Sequence, residues 1–226
     1  MMRRSILFLL FSALSLPFLS AQAKYDYNWV MGYGKKSTNA SGINFGGFVM
    51  HFDSVTPTFS YTGFRSNGPV ACISDRQGRL LAYTEGCAVW NREHEKMPHG
   101  DSLNPGKVFM FYCPGSYPIW QSSLFLPMPG NDTLFYLVHI RGNDYDYSPM
   151  HLLYTVIDAA GDDGKGAVVT KNNIILSDSL FLDKYVTATR HANGEDWWII
   201  IPQVNKNGYS RYGVVLNVVD RNTYCA

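Results

Sequence analysis

The chain has 226 residues and a formal net charge of +1, with charged residues at 16% scarcely outnumbering aromatic ones at 15%. A near-neutral chain without a Lys/Arg run has no long-range field for gathering nucleic acid or anionic lipid, so neither is an expected partner. The length suits one domain, or a piece of a larger one.

In chain order, the first element is a leader. Arg3 and Arg4 precede an apolar stretch, Ser5 to Ser20, broken by Pro17, and Ala21 and Ala23 supply small residues for a signal peptidase. Residues 1–23 are therefore expected to be a cleaved signal peptide, with secretion or the cell surface as destination, or the periplasm. The apolar run is short for a bilayer span, and no later stretch reads as a membrane helix. Cleavage before Lys24 leaves 203 residues with a net charge of −1 and no integral membrane segment. An exported chain with four cysteines, Cys72, Cys87, Cys113 and Cys225, permits disulfides in three connectivities. Their spacing fits no zinc pattern. Cys72–Cys87 is the candidate pair.

Beyond residue 24, Gly, Asn, Asp and Pro interrupt apolar segments about every ten residues, which predicts short strands joined by turns. No segment carries a sustained helical repeat. Predicted strands are Val70–Ser74, returning as Arg79–Tyr83 through the turn Asp75–Gly78; Thr133–Ile140, entered through Pro129–Asp132; His151–Asp158; a short Ile174–Leu176; Asp196–Ile201, after Asn193 and Gly194; and Arg211–Asp220. Phe135-Tyr136-Leu137 precedes Trp197-Trp198-Ile199 by 62 positions, and Leu153–Asp158 precedes Val215–Asp220 by the same offset. Two strands in one order at one spacing suggest a unit used twice, with the Gly78 hairpin as an earlier copy. Such a unit cannot bury both faces alone, so stacked neighbours must form the core. The expectation is an all-β, β-propeller-like domain over residues 24–226. It holds the first two to three blades, with the later copy ending at its third strand and the propeller incomplete at its C-terminus.

Catalytic motifs are scarce. His94-Glu95-Lys96-Met97-Pro98-His99 fails as a zinc protease helix, because the second His falls five residues after the first and Pro98 breaks a helix. Gly34-Lys35-Lys36-Ser37 lacks the phosphate-loop spacing, and no Gly-x-Ser-x-Gly elbow occurs. Ser74-Asp75-Arg76-Gln77-Gly78 loosely resembles the Asp-box of sialidases, but its Asp is misplaced, and it reads as a hairpin turn. No cofactor and no metal is called for. The best polar cluster is His139, Arg141, Asp144 and Asp146 on one loop, with Tyr145 and Tyr147 beside the acids. Aromatic rings beside acids can grip sugars by stacking and hydroxyl hydrogen bonds, and oxygen ligands can help hold calcium; a plain solvated loop is the alternative.

These residues resemble a family. Asn28-Trp29 with Gly32 and Ile43-Asn44-Phe45, then Ile73-Ser74-Asp75, Gly78, Leu80-Leu81, Tyr83-Thr84 and Gly86, resemble the opening of Bacteroidetes exported proteins with an N-terminal propeller-like region. The most distinctive element is Trp90-Asn91-Arg92, His94, Met97-Pro98 and Gly100. Gln121-Ser122, Pro127, Pro129-Gly130, then Tyr154, Val156 and Asp158, then His191, Asn193-Gly194 and Asp196-Trp197-Trp198 continue the likeness over residues 28–219. His99 stands where the family has Asn, and Glu85 where it has Asp. The type IX secretion sorting domain that often ends such proteins is absent. Trp90, Asn91, Arg92, Met97, Pro98 and Gly100 suit packing and turns, so a structural role is expected for them. The family's O-glycosylation sequon, Asp-Ser/Thr-apolar, is matched at Ser54, Ser102, Thr133 and Ser179; turn chemistry explains the same pattern.

Together these readings predict a secreted or cell-surface, non-catalytic module that binds a glycan or a surface protein. The alternatives are a propeller hydrolase of glycosidase type, to which Asp26, Asp53, Glu85 and Asp144 could contribute acids, and a structural part of the cell envelope.

Overall fold

The computed structural model describes residues 23–32, 37–38, 44–68, 70–113, 115–177, 185–204, 210–219 and 223–225. The signal segment therefore lies, but for Ala23, outside the described residues. With 44% strand against 6% helix, the protein is all-β, built from several antiparallel sheets, and none closes into a barrel among the described residues.

The first sheet has the order β1 (Asn28–Met31), β4 (Phe48–His51), β5 (Thr58–Tyr61), and a small hairpin of β2 (Ser37–Thr38) and β3 (Asn44–Phe45) lies between β1 and β4 in the chain. The second is β6 (Ala71–Ser74), β7 (Leu80–Thr84) and β8 (Val89–Asn91). A six-residue helix, α1 (Lys107–Tyr112), precedes the third sheet of β9 (Ser123–Pro127), β10 (Leu134–Gly142), β11 (Pro149–Asp158) and β12 (Ala167–Ser177). The fourth is β13 (Thr187–Arg190), β14 (Trp197–Val204), β15 (Ser210–Val219) and β16 (Thr223–Cys225).

Side-chain carbonyls close the turns. Asp75 Oδ1 accepts the N–H groups of Gln77 and Arg79 at 2.9 Å each. Asn131 Oδ1 accepts those of Thr133 and Leu134, and Asn193 Oδ1 those of Glu195 and Asp196. An Asx carbonyl two residues ahead of an amide mimics a backbone turn, which is why these residues punctuate the sequence.

Among the described residues three hydrophobic cores hold the sheets together, each lying between two successive sheets. Val30 and Val49 of the first sheet pack with Phe64 and with Leu80 and Tyr83 of the second. Ile73, Ala82 and Val89 of the second meet Phe125, Phe135 and Leu137 of the third. Leu126, Val138 and Ile140 of the third meet Ile199 and Ile201 of the fourth and Val186, just before β13. β10 shows the logic: alternate side chains point to opposite faces of a strand, so Phe135 and Leu137 serve one core while Val138 and Ile140 serve the next. β6 lies against both β1 and β9, so the first strands of three successive sheets are neighbours.

Several predicted elements need correction. Ile174–Leu176 is not a short strand but part of the eleven-residue β12. The polar run Thr170–Asn173 hides its continuity. A bulge carries the strand past Thr155, with Asn172 at a φ of 58°. The last sheet does not stop at three strands, because Thr223–Cys225 pairs with β15. The spacing of 62 also slips by one residue in register: Phe135 faces Ile157, whereas Trp197 faces Val218 rather than Val219. The helix at Lys107–Tyr112 has no signature in sequence, since aromatic and β-branched residues fill it. The first sheet, formed by residues between 28 and 61, was likewise not among the predicted strands.

Candidate functional site

The predicted polar loop splits into a buried part and an exposed part. His139 is fully buried on β10 and does not reach a binding surface. Its Nδ1 lies 2.6 Å from Asn104 Oδ1 and its Nε2 lies 2.9 Å from Thr155 Oγ1. Thr155 Oγ1 also accepts the Asn172 N–H at 3.2 Å, so its hydroxyl proton is free to point at Nε2. This assignment gives a neutral ring that donates from Nδ1. Burial pushes the imidazole down to about 3, which keeps it neutral. Asn104 Nδ2 donates in turn to Gly86 O at 3.0 Å. The group is a satisfied interior network that ties the third sheet to the loop before α1.

Arg141 and Asp144 are engaged in the same task. Asp144 Oδ1 accepts the Lys107 N–H at 2.7 Å and its Oδ2 accepts Arg141 Nη2 at 2.9 Å, while Arg141 Nε donates to Pro105 O. The carboxylate thus satisfies an N–H at the start of α1. Gly106, at a φ of 137°, lets the chain pass so close that a Cβ there would collide with both side chains. Asp146 Oδ1 accepts from Ser148 N, Ser148 Oγ and Asn143 Nδ2. These partners hold its carboxyl below the usual range.

What remains facing outward is aromatic. Tyr145 is 93% exposed, with Lys107 Nζ 5.8 Å from its ring centroid. Tyr147 packs against Phe111 at 6.2 Å and Tyr112 at 6.0 Å between centroids. On α1 itself Met110 and Phe111 are 77% and 69% exposed. The result is an aromatic knob made of α1 and the β10–β11 turn. α1 was missed in the sequence; the one local signal was the apolar run Phe109-Met110-Phe111-Tyr112-Cys113.

The knob is pinned to the body by the turn between β7 and β8. A disulfide joins Cys87 of that turn to Cys113 at the end of α1. The expected Cys72–Cys87 pairing is therefore wrong. Cys72 sits on β6 between the first two sheets, where its Sγ donates to Asn28 O at 3.2 Å and burial pushes its thiol up. The same turn passes its carbonyls to the surrounding loops: Glu85 O accepts the Tyr117 N–H, and Cys87 O the Leu103 N–H. Tyr117, fully buried and pushed up to about 12 by burial, accepts the Gly142 N–H on its hydroxyl at 2.8 Å.

Glu85 is the one buried carboxyl beside this turn whose protonation is strongly displaced. Its Oε2 accepts the Trp90 indole N–H at 2.7 Å, and burial raises it to about 7 against the pull of nearby N–H groups and Lys96. Of the other acids considered for hydrolysis, Asp26 and Asp53 lie at the surface. Among the described residues, no group of three or more His, Cys, Asp or Glu is placed to hold a metal ion.

The Trp90-to-Gly100 element packs and turns. Asn91 Oδ1 accepts the N–H groups of Glu93 and Glu95 at 2.9 and 3.0 Å, and Arg92 donates to Gly164 O. Met97 is buried in the second core, Pro98 O accepts the Val168 N–H, and a Cβ on Gly100 would strike the carbonyls of Val89 and Met97. Trp90 lies near-parallel to Tyr83. Of the candidate glycosylation positions, Ser54 and Thr133 are exposed, Ser102 is half-buried, and Ser179 lies outside the described residues.

The fold and site define an all-β protein of stacked antiparallel sheets carrying an aromatic knob. No protein-family model, curated protein or solved structure matches the chain.

Proposed function

We propose that this chain is an exported, non-catalytic recognition module of β-propeller-like architecture that engages a surface protein through its aromatic knob. The sequential sheets, their adjacent first strands and the cores between successive sheets support the propeller-like reading. The Cys87–Cys113 disulfide fits an oxidising compartment, as the leader and the resemblance to Bacteroidetes exported proteins do.

The observation that carries the function is the contrast within the knob. Its rings are open to solvent, while Arg141, Asp144 and Asp146 are engaged in internal hydrogen bonds. Sugar recognition needs free donors and acceptors for hydroxyls, whereas an apolar, aromatic protrusion suits the core of a protein interface. A protein partner is therefore favoured over a glycan. Ser54 and Thr133 are the accessible acceptors for O-glycosylation, and an intact mass equal to the bare cleaved chain rejects modification.

The test is a binding assay of the mature chain against immobilised extracellular-matrix proteins and a glycan panel, with the variant M110S/F111S alongside. Binding to a protein ligand that the variant loses, at unchanged circular dichroism, supports the reading. Binding that the variant retains, or binding to glycans alone, overturns it.

A further inference from the structure

The first sheet carries an uncovered apolar face. Trp29 faces Met50 across β1 and β4, and Met50 faces Phe59 across β4 and β5; Met31, Phe48 and Tyr61 form the next row. Residues opposite one another in an antiparallel ladder share a face. Six large apolar side chains thus stand in two rows on the side away from Val30 and Val49. Trp29 is 50% exposed, Met31 38%, Phe59 58% and Tyr61 69%. Phe48 leans on Phe59 at 5.9 Å, and Phe52 on Trp29 at 5.0 Å, which holds the rows in place.

At roughly 150–250 Å² per aromatic side chain, the exposed parts of these residues come to on the order of 400 Å². That matches the roughly 300–600 Å² of the largest open apolar patch on a typical monomer, and such patches are often functional. Two such faces bury about 800 Å² of apolar surface, and a polar rim of about 200 Å² on each copy brings the total to about 1,200 Å², where specific interfaces begin.

We propose that this face is the contact between two copies of the chain, packed sheet on sheet about a two-fold axis. A two-fold contact brings the same patch from both partners, so the patch must tolerate itself. None of the six positions carries a charge, and a net charge of −1 on the chain from Lys24 gives no long-range repulsion. The two methionines stand among four aromatic rings, and their flexible thioethers adapt to rings from the opposite copy. The contact also continues a pattern already present, since each of the three cores is one sheet face laid on another. β5 is an edge strand with all four residues exposed, so among the described residues nothing obstructs a second sheet from that side.

Sedimentation velocity of the chain from Lys24, run from low to high micromolar, reads this directly. A monomer–dimer equilibrium is expected. F59D and M31K, on different strands, should each weaken it at least tenfold with unchanged far-ultraviolet circular dichroism, while V169S at the exposed Val169 of β12 leaves it unaltered. A monomer at every concentration overturns the proposal, as does a dimer that survives both substitutions. A monomer that instead floats with phosphatidylcholine vesicles overturns it in favour of a lipid surface. Should F59D unfold, M31K decides.

Discussion

The two faces of the first sheet differ in kind and in fate: one sets Val30 and Val49 among the polar Asn28, His51, Thr58 and Ser60, and the other carries six large apolar side chains. Val30 and Val49, 5% and 1% exposed, are closed over by Leu80 and Tyr83, and Phe64 meets Tyr83 edge to face at 4.7 Å. One position along each strand, Trp29, Met31, Phe59 and Tyr61 point the other way and stay open. A sheet with one wet face alternates apolar with polar residues, whereas a sheet covered on both faces is apolar throughout. By that rule the apolar rows of Trp29, Met50 and Phe59 and of Met31, Phe48 and Tyr61 are written for cover, and among the described residues that cover is incomplete.

The contrast can be broken or sharpened by substitution. The largest effect is expected on the covered face. V49D buries an unpaired carboxylate, costs more than about 4 kcal/mol, and should abolish a cooperative urea transition. Y83L removes the ring that closes this core and its hydroxyl contact with His94, 3.0 Å away, for a loss of roughly 2–4 kcal/mol in the same titration.

The second sheet, covered on both sides, extends the comparison to pH. Glu85 titrates near 7 when folded, against 4.5 when free, so the folded state favours its protonated form. Its contribution is fullest below about pH 4.5 and declines as pH rises through 7. E85Q removes that decline and should gain about 2–3 kcal/mol over the wild type at alkaline pH, measured by thermal melts across a pH series. His139 opposes it on the acid side: its folded value of about 3 lies below its free value of 6.5, so stability is lost as pH falls through that window. N91A, which strands the amides of Glu93 and Glu95, should cost about 1–2 kcal/mol. The smallest effect belongs to the open face, where M31S in dilute solution should stay within about 0.5 kcal/mol of the wild type.

Turns were legible in the sequence because Asp75, Asn131 and Asn193 act on amides two to four residues away. Local chemistry of that range leaves a local signature. The Trp90–Gly100 element was legible for the same reason. The disulfide was not, because the nearer Cys72 and the farther Cys113 look alike until α1 folds back onto the β7–β8 turn. His139 was placed in a binding loop because its neighbours are polar, yet the strand continues through it to Gly142 and its partners, Asn104 and Thr155, are distant in sequence. The aromatic half of that loop, Tyr145 and Tyr147, stands on the β10–β11 turn beside α1. Its companion α1 was missed, since a helix of six residues is set by tertiary contacts rather than propensity.

The methionines test the account most directly, since they sample every kind of surface in it. Oxidative footprinting with peptide mapping, run on dilute and concentrated protein, compares Met97 in the second core, Met110 on the knob and Met31 on the open face of the first sheet. The account predicts that Met97 resists at both concentrations, Met110 reacts at both, and Met31 reacts when dilute but is protected when concentrated. Oxidation of Met31 in step with Met110 at high concentration would contradict it.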